Sequence, residues 1–271
     1  MSAPAEISSS KLARLVGTPD SPALVDLRID EDFDQDPNLL PTAFRHDFRA
    51  IDTLAPRVSG RRVVVYCQKG RKISQGAMAL LRSRRIMAEV LEGGHFAWRD
   101  AGLPMVDARA LPALGHARTR WVTRHRPKID RIACPWLVRR FIDPDAEFLF
   151  VPPQDVELVA EKFDAIPFDV EGVRFSHCDE RCSFDAFLDV FGLKSTALAG
   201  LADVIRAADT NRHDLAPEAA GLLALSVGLS RLYRDDYAQL DAGMALYDAL
   251  YRWARDGREE THDWPATAVP R

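Results

Sequence analysis

The chain has 271 residues, enough for two domains of ordinary size or one large one. A hydrophobic share of 47% with 28% charged residues belongs to a globular protein and excludes a disordered one. A net charge of −4 excludes a whole-chain footprint for nonspecific DNA binding and argues against a nucleic-acid partner, although a local basic patch can still hold an anion.

The first fifteen residues contain no apolar run like that of a signal peptide, and no stretch approaches the roughly 18 apolar residues of a membrane span. The expectation is a cytoplasmic protein without a membrane partner. In that setting Cys67, Cys134, Cys178 and Cys182 are read as reactive, metal-binding or core-filling thiols before disulfides.

The first half alternates strand and helix signals. Ser8 to Ser10 offer caps for a helix over Lys11–Val16. Ala23–Leu27 reads as a buried strand, and the β-branched run Arg62–Tyr66 as a second. Ile73, Ala77, Leu80 and Leu81 follow at helical spacing. Ala88–Leu91 reads as a third strand, closed by Gly93 and Gly94, and Phe96–Ala101 as a short helix. This alternation predicts a parallel sheet flanked by helices, an α/β unit over 1–105.

Periodicity fades over 106–119, which is read as a linker. The second half, 120–260, is mostly helical, with a tail at 261–271. An amphipathic helix is expected over Asp130–Phe141, limited or kinked by Pro135, and another over Pro153–Phe163. Phe148–Val151 and Val173–Ser176 read as short strands. Ser183 is placed to cap a helix through Val190. Longer helices are expected over Leu198–Ala208, Pro217–Leu232 and Asp235–Arg255, packed as a small bundle. The fold class of this half is a mainly helical α+β domain.

Cys67 stands directly after a buried strand and just before a helix, in the order Cys67-Gln68-Lys69-Gly70-Arg71-Lys72. A loop of this shape turns backbone amides toward the sulfur, and the helix N-terminus adds its positive end. Lys69, Arg71 and Lys72 add positive charge. All three effects favour thiolate over thiol. Gly70 supplies a backbone angle that other residues resist.

On these residues the first half resembles the rhodanese family, whose active loop is Cys-x-x-Gly-x-Arg followed by Ser or Thr. The Asp26-Leu27-Arg28 step, Gly93-Gly94-His95-Phe96-Ala97-Trp98 and Gly102-Leu103-Pro104 fit as well. Lys72 stands where arginine is usual, which removes the planar fork for an oxyanion, and Ile73 stands where Ser or Thr is common. The resemblance implies a sulfurtransferase: Cys67 as catalytic nucleophile and persulfide carrier, Gln68 to Lys72 as an anion-binding loop, a small sulfur donor and a thiol acceptor as partners, and no cofactor for the transfer.

Three stretches of the second half carry further chemistry. The segment around Arg118–Arg140 concentrates basic residues, of which Arg124, Arg126, Lys128 and Arg131 are candidates for an oxyanion pocket, since guanidinium groups hold tetrahedral dianions by paired hydrogen bonds. The run from Ser176 to Asp185 and the run from Ala208 to Asp214 crowd His, Cys and carboxylates. His177, Glu180, Cys182 and His213 are candidate ligands for a transition metal, with Asp209 as an alternative carboxylate. Cys134 and Cys178 are read as packing residues.

These stretches resemble the C-terminal domain of ChrB-type chromate-resistance proteins. The resemblance runs through RPKIDRIACPWLVRRFIDPDAEFLFV, SHCDERCSFD and ADTNRHDLAPEAAGLLALSVGLSR, and implies a link to chromate, a tetrahedral dianion. The joint reading is a sulfurtransferase-like protein linked to chromate resistance. The alternative is a chromate- or metal-binding sensor whose Cys67 loop reports redox state.

Overall fold

The computed structural model describes residues 5–111 and 118–260. Its first half runs β1 (Glu6–Ile7), α1 (Ser9–Leu15), β2 (Ala23–Asp26), α2 (Asp30–Gln35), β3 (Asn38–Leu39), β4 (Phe44–Arg45), α3 (Ile51–Val58), β5 (Val63–Tyr66), α4 (Lys72–Ser83), β6 (Ala88–Leu91), α5 (Gly94–Asp100) and β7 (Val106–Asp107). Strands β1, β6, β5, β2 and β4 form one sheet in that order, and every neighbouring pair is parallel.

The apolar run of β5 explains the layering. Successive side chains of a strand point to opposite faces. Val63 and Val65 therefore join a core under α3 and α4, while Val64 and Tyr66 join a second core with Leu12 of α1 and Trp98 of α5. Both faces are covered, so all four residues of β5 are buried and the run carries no polar alternation. The helix expected from Ile73 forms as α4, but Leu80 is 47% exposed rather than on its buried face. The α4 core contacts come from Ala77, Met78 and Leu81.

The expected linker does not begin as one. Its first residues are β7, which pairs antiparallel with β3, followed by a 3₁₀ turn over Ala108–Ala110. Residues 112–117 and the tail at 261–271 lie outside the described residues.

The second half runs β8 (Arg120–Arg124), α6 (Asp130–Leu137), β9 (Glu147–Val151), α7 (Val156–Phe163), β10 (Ile166–Pro167), α8 (Ser183–Phe191), α9 (Thr196–Asp209), α10 (Ala219–Leu232) and α11 (Asp236–Arg252). Pro135 is accommodated inside α6, which widens into a π-helical turn over Val138–Ile142. Strands β10, β8 and β9 form a parallel sheet. Here too the strand alternates: Trp121 enters the large helical core and Val122 the small core beside α7. Val173–Ser176 is not a strand. It makes a single bridge, Phe168 to Phe175, because Phe175 turns inward against Trp121 and Phe187. Ser195 and Asp235 cap α9 and α11 through their side chains. Cys182, not Ser183, holds the cap position of α8.

The two halves meet at Gly17, where a β-carbon would overlap the rings of Phe141 and Tyr251. The amide of Thr42 donates to the carbonyl of Phe141 at 2.8 Å. A cleft of about 630 Å³ opens along this junction, with Arg45, Arg57, Arg61 and Arg118 in its lining. Among the described residues no helix is long and apolar enough to cross a membrane.

Candidate functional site

Cys67 follows β5, and its loop closes onto the turn that starts α5. The amide of His95 donates to the carbonyl of Cys67 at 3.0 Å, and that of Phe96 to the carbonyl of Gln68 at 3.1 Å. Gly70 has φ of +64° and Gly94 has φ of +61°. A β-carbon on Gly70 would overlap the carbonyl oxygen of Leu91, and one on Gly94 the carbonyl oxygen of Cys67 and the amide of Gly70. Two glycines thus allow two backbones to approach in conformations other residues resist.

This clamp leaves Cys67 6% exposed, with its Sγ 3.3 Å from the Ser74 hydroxyl. Burial alone pushes the thiol up. The Ser74 hydroxyl and the backbone amides of Ser74, Arg71 and Lys69 outweigh burial and hold it below the usual thiol range. The sequence pattern points to three cations for this task as well. Lys69, Arg71 and Lys72 are all exposed, and the hydrogen bonds come instead from amides and one hydroxyl. Gln68 is half-buried in the loop. Ser74 is not among the residues the loop pattern points to, because Ile73 stands at the position where the hydroxyl is expected. The hydroxyl comes one residue later, from the first turn of α4.

Beneath the loop, Asp26 and Arg28 are a fully buried ion pair, Nη2 to Oδ2 at 2.7 Å, and Arg28 also donates to the carbonyls of Asp36 and Asn38. Buried His95 places Nε2 2.8 Å from Asp36 Oδ2. Burial lowers the His95 pKa, with Asp36 opposing.

The second constellation centres on His177. Its Nε2 lies 3.1 Å from Asp209 Oδ2, 3.4 Å from Asp169 Oδ1 and 3.5 Å from Asp130 Oδ2. Each carboxylate arrives on a different element. Asp130 opens α6 after Ile129, a β-branched residue at φ of +40°. Asp169 follows β10, and Asp209 ends α9.

Asp130 is 1% exposed. Its Oδ2 accepts from the amides of Ser183 at 2.5 Å and Phe184 at 3.3 Å, the first turn of α8. Burial, reinforced by the carboxylates of Asp209 and Asp169, pushes the Asp130 pKa up. Asp169 accepts from Arg124 at 3.0 Å and from the Ser183 hydroxyl at 3.0 Å, and pairs with Arg131 at 3.1 Å. Hydrogen bonds to Asp169 and Asp209 push the His177 pKa up to about 10.

The expected metal set does not assemble. Among the described residues, only His177 of its four members joins a group of converging donors, and its partners are Asp130 and Asp209. Glu180 is exposed and faces Arg212 at 3.7 Å. His213 is exposed. Cys182 is fully buried at the start of α8, its amide donating to Asp185 Oδ2 at 3.1 Å, and burial pushes its thiol up. Cys134 is a packing residue as expected, but Cys178 is exposed.

The expected oxyanion set is split in the same way. Arg124 and Arg131 are already held by Asp169. Arg126 and Lys128 are exposed, and the amide of Arg126 donates to Asp236 at 3.0 Å.

Taken together, the chain joins a parallel α/β unit with a strand–cysteine–helix loop to a mainly helical unit with a partly buried carboxylate–histidine cluster. Residues 121–254 match the family described as "ChrB, C-terminal domain", so the second half carries a ChrB-type C-terminal domain. Protein ChrB of Cupriavidus metallidurans is 39% identical over 132 residues, which make up 48% of this chain. The chain spans 39% of that relative's length. Over the first half, solved structures similar to it include a thiosulfate sulfurtransferase from Pseudomonas aeruginosa, at TM-score 0.34 and 23% identity, covering 38% of this chain and 19% of that one. A rhodanese-related protein from Thermoplasma volcanium has TM-score 0.33 and 17% identity, with 37% of this chain and 96% of that one covered.

Proposed function

We propose that the protein is a sulfurtransferase in which Cys67 carries sulfane sulfur as a persulfide, working beside a ChrB-type domain linked to chromate resistance. The observation that carries this reading is the placement of Cys67 Sγ against the Ser74 hydroxyl and the amides of Lys69, Arg71 and Ser74, which keep the thiol below its ordinary range.

The chemistry needs no cofactor. The Cys67 thiolate attacks the outer sulfur of a donor such as thiosulfate. A sulfur–sulfur bond forms to Cys67, the bond within the donor breaks, and sulfite leaves with the electron pair. The loop amides that held the thiolate then hold the persulfide anion. An acceptor thiolate or cyanide attacks the outer sulfur, and the Cys67 thiolate departs. Four free cysteines suit a reducing cytoplasm, where acceptor thiols are plentiful. The chromate link rests on the ChrB-type domain.

The test is thiocyanate formation from thiosulfate and cyanide, with mass spectrometry of Cys67 after incubation with thiosulfate alone. The wild-type chain gains one sulfur atom at Cys67 and forms thiocyanate, and Cys67→Ser does neither. Equal turnover by the variant removes Cys67 from the mechanism.

A further inference from the structure

We propose that Asp130, His177 and Asp209 form a binding site for one divalent first-row transition cation, beside the ion pairs that Asp169 makes with Arg124 and Arg131. The site is separate from Cys67 and does not rest on sulfur transfer.

The argument begins with one nitrogen. A protonated imidazole has a single N–H at Nε2, and that N–H points at one acceptor. Yet three carboxylate oxygens surround His177 Nε2 at 3.1, 3.4 and 3.5 Å. Asp130 Oδ2 also takes two backbone amides and Asp169 Oδ1 the Ser183 hydroxyl, which leaves the imidazole N–H to Asp209, yet three carboxylates still crowd one imidazole. Ligands bound at about 2.1 Å to a common cation, at angles between octahedral and tetrahedral, sit roughly 3.0 to 3.4 Å from one another. The Nε2 of His177 lies 3.1 Å from Asp209 Oδ2 and 3.5 Å from Asp130 Oδ2, within or just beyond that range, and one donor atom from each of the three residues lies within 4.8 Å of the others.

The second observation is an oxygen without a partner. Asp130 is 1% exposed and its side chain points into the cluster, where Oδ2 takes both amides of the α8 N-terminus. Its Oδ1 is buried and has no hydrogen-bond partner. A buried carboxylate oxygen left unpaired is costly, and a cation removes that cost. Asp169 is already committed, its Oδ2 to Arg124 and Arg131 and its Oδ1 to the Ser183 hydroxyl. Its Oδ1 faces Nε2, the nitrogen that would bind the cation, so Asp169 stands beside the site as a neighbouring negative charge and is left out of the ligand set.

The donor set selects the class of ion. Two carboxylates with one imidazole suit a hard-to-borderline cation such as Mn²⁺ or Zn²⁺ more than a thiolate-seeking one. The side chain of His177 is 40% exposed, so the remaining coordination positions face solvent and are open to water or an anionic ligand.

The experiment uses the full chain, stripped with chelator and checked by elemental analysis. It is titrated with Mn²⁺ and with Zn²⁺ by calorimetry, and Mn²⁺ is followed by loss of the free-ion paramagnetic resonance signal. One ion per chain is expected. Each change removes a ligand, so affinity falls by at least about tenfold in His177→Gln and in Asp209→Asn. Cys178→Ser, His213→Ala and Cys67→Ser bind as the wild type does. Asp209 is at a helix end and half-exposed, so its variant keeps the test valid if His177→Gln is poorly folded. Absence of saturable binding by either cation, or wild-type affinity in both His177→Gln and Asp209→Asn, overturns the proposal.

Discussion

The Cys67 loop and the His177 cluster solve opposite problems. In the loop one charge is stabilised by neutral groups, the backbone amides and a single hydroxyl. In the cluster three carboxylates are crowded together and held mainly by opposite charge, one imidazole and two guanidinium groups, with two α8 amides on Asp130. The difference teaches where each site is vulnerable. A site made of amides depends on backbone shape, so it fails when a glycine changes. A site made of counter-charges depends on partners and pH, so it fails when one partner is lost.

The largest expected effect lies in the loop. Gly94→Ala forces a β-carbon into the carbonyl of Cys67 and the amide of Gly70, at φ of +61°. Neither neighbour is a flexible side chain, so the backbone has to shift. The variant is expected to lose about 3 to 4 kcal/mol of stability, measured by urea unfolding, together with persulfide formation. A variant as stable and active as wild type would show that the loop is not clamped.

Counter-charge energetics are next in size, and Asp185 tests them away from the His177 cluster. Asp185 is almost fully buried and accepts from Arg206 at 2.6 and 2.8 Å. Burial alone would raise its pKa, but the Arg206 guanidinium holds the carboxyl below its usual range. A carboxylate with a lowered folded pKa stabilises the protein above its unfolded pKa, and that stability is lost as pH falls through the folded value. Asp185→Asn is therefore expected to cost about 2 to 3 kcal/mol at pH 7, discounted because Arg206 is partly exposed. The gap from wild type should close on acidification below about pH 4. Urea unfolding at pH 7 and pH 3 measures both, and an unchanged gap at pH 3 would assign the loss to packing instead.

Much of this was readable in the chain. The edges of β5 and β6 follow from short β-branched or apolar runs closed by turn residues, and the Cys67 loop from its place between them. Strand β8 was not visible, because Arg120 and Arg124 bound a five-residue element whose middle is buried on both faces. Without polar alternation it read only as part of a basic segment. The His177 partners were hidden for a different reason. Asp130, Asp169 and Asp209 follow one another along the chain at intervals of about forty residues, so only the tertiary fold unites them. Sequence proximity favoured Glu180 and Cys182 instead. Cys182 is turned inward by its role at the start of α8, and Glu180 outward into solvent. The signal that could have helped is Asp209, which the sequence offered only as an alternative ligand.

Within the loop, Ser74 should matter more than any cation. Its single proton lies between the Arg71 carbonyl, at 3.0 Å, and Cys67 Sγ, at 3.3 Å. Ionisation of the sulfur draws that proton toward the charge. Ser74→Ala is expected to raise the Cys67 pKa by about one unit, worth about 1.4 kcal/mol. Alkylation by iodoacetamide at pH 7 then slows about tenfold, and the midpoint of the rate–pH profile moves up. A profile superimposable on that of wild type would remove the hydroxyl from the account.

The smallest effect decides between amides and cations. Lys69, Arg71 and Lys72 are exposed, and exposed charges contribute at most about 1 kcal/mol each because water and salt screen them. Replacing all three with Gln leaves every backbone amide of the loop in place. Alkylation at pH 7 and physiological salt is expected to slow by about threefold or less, below the loss in Ser74→Ala. Raising salt toward 1 M should reproduce most of that change in the wild type, since the Debye length falls to about 3 Å. If the triple variant slows as much as Ser74→Ala or more, positive side chains hold the thiolate. The loop would then work by counter-charge, as the His177 cluster does, and the contrast between the two regions would fail at its first term.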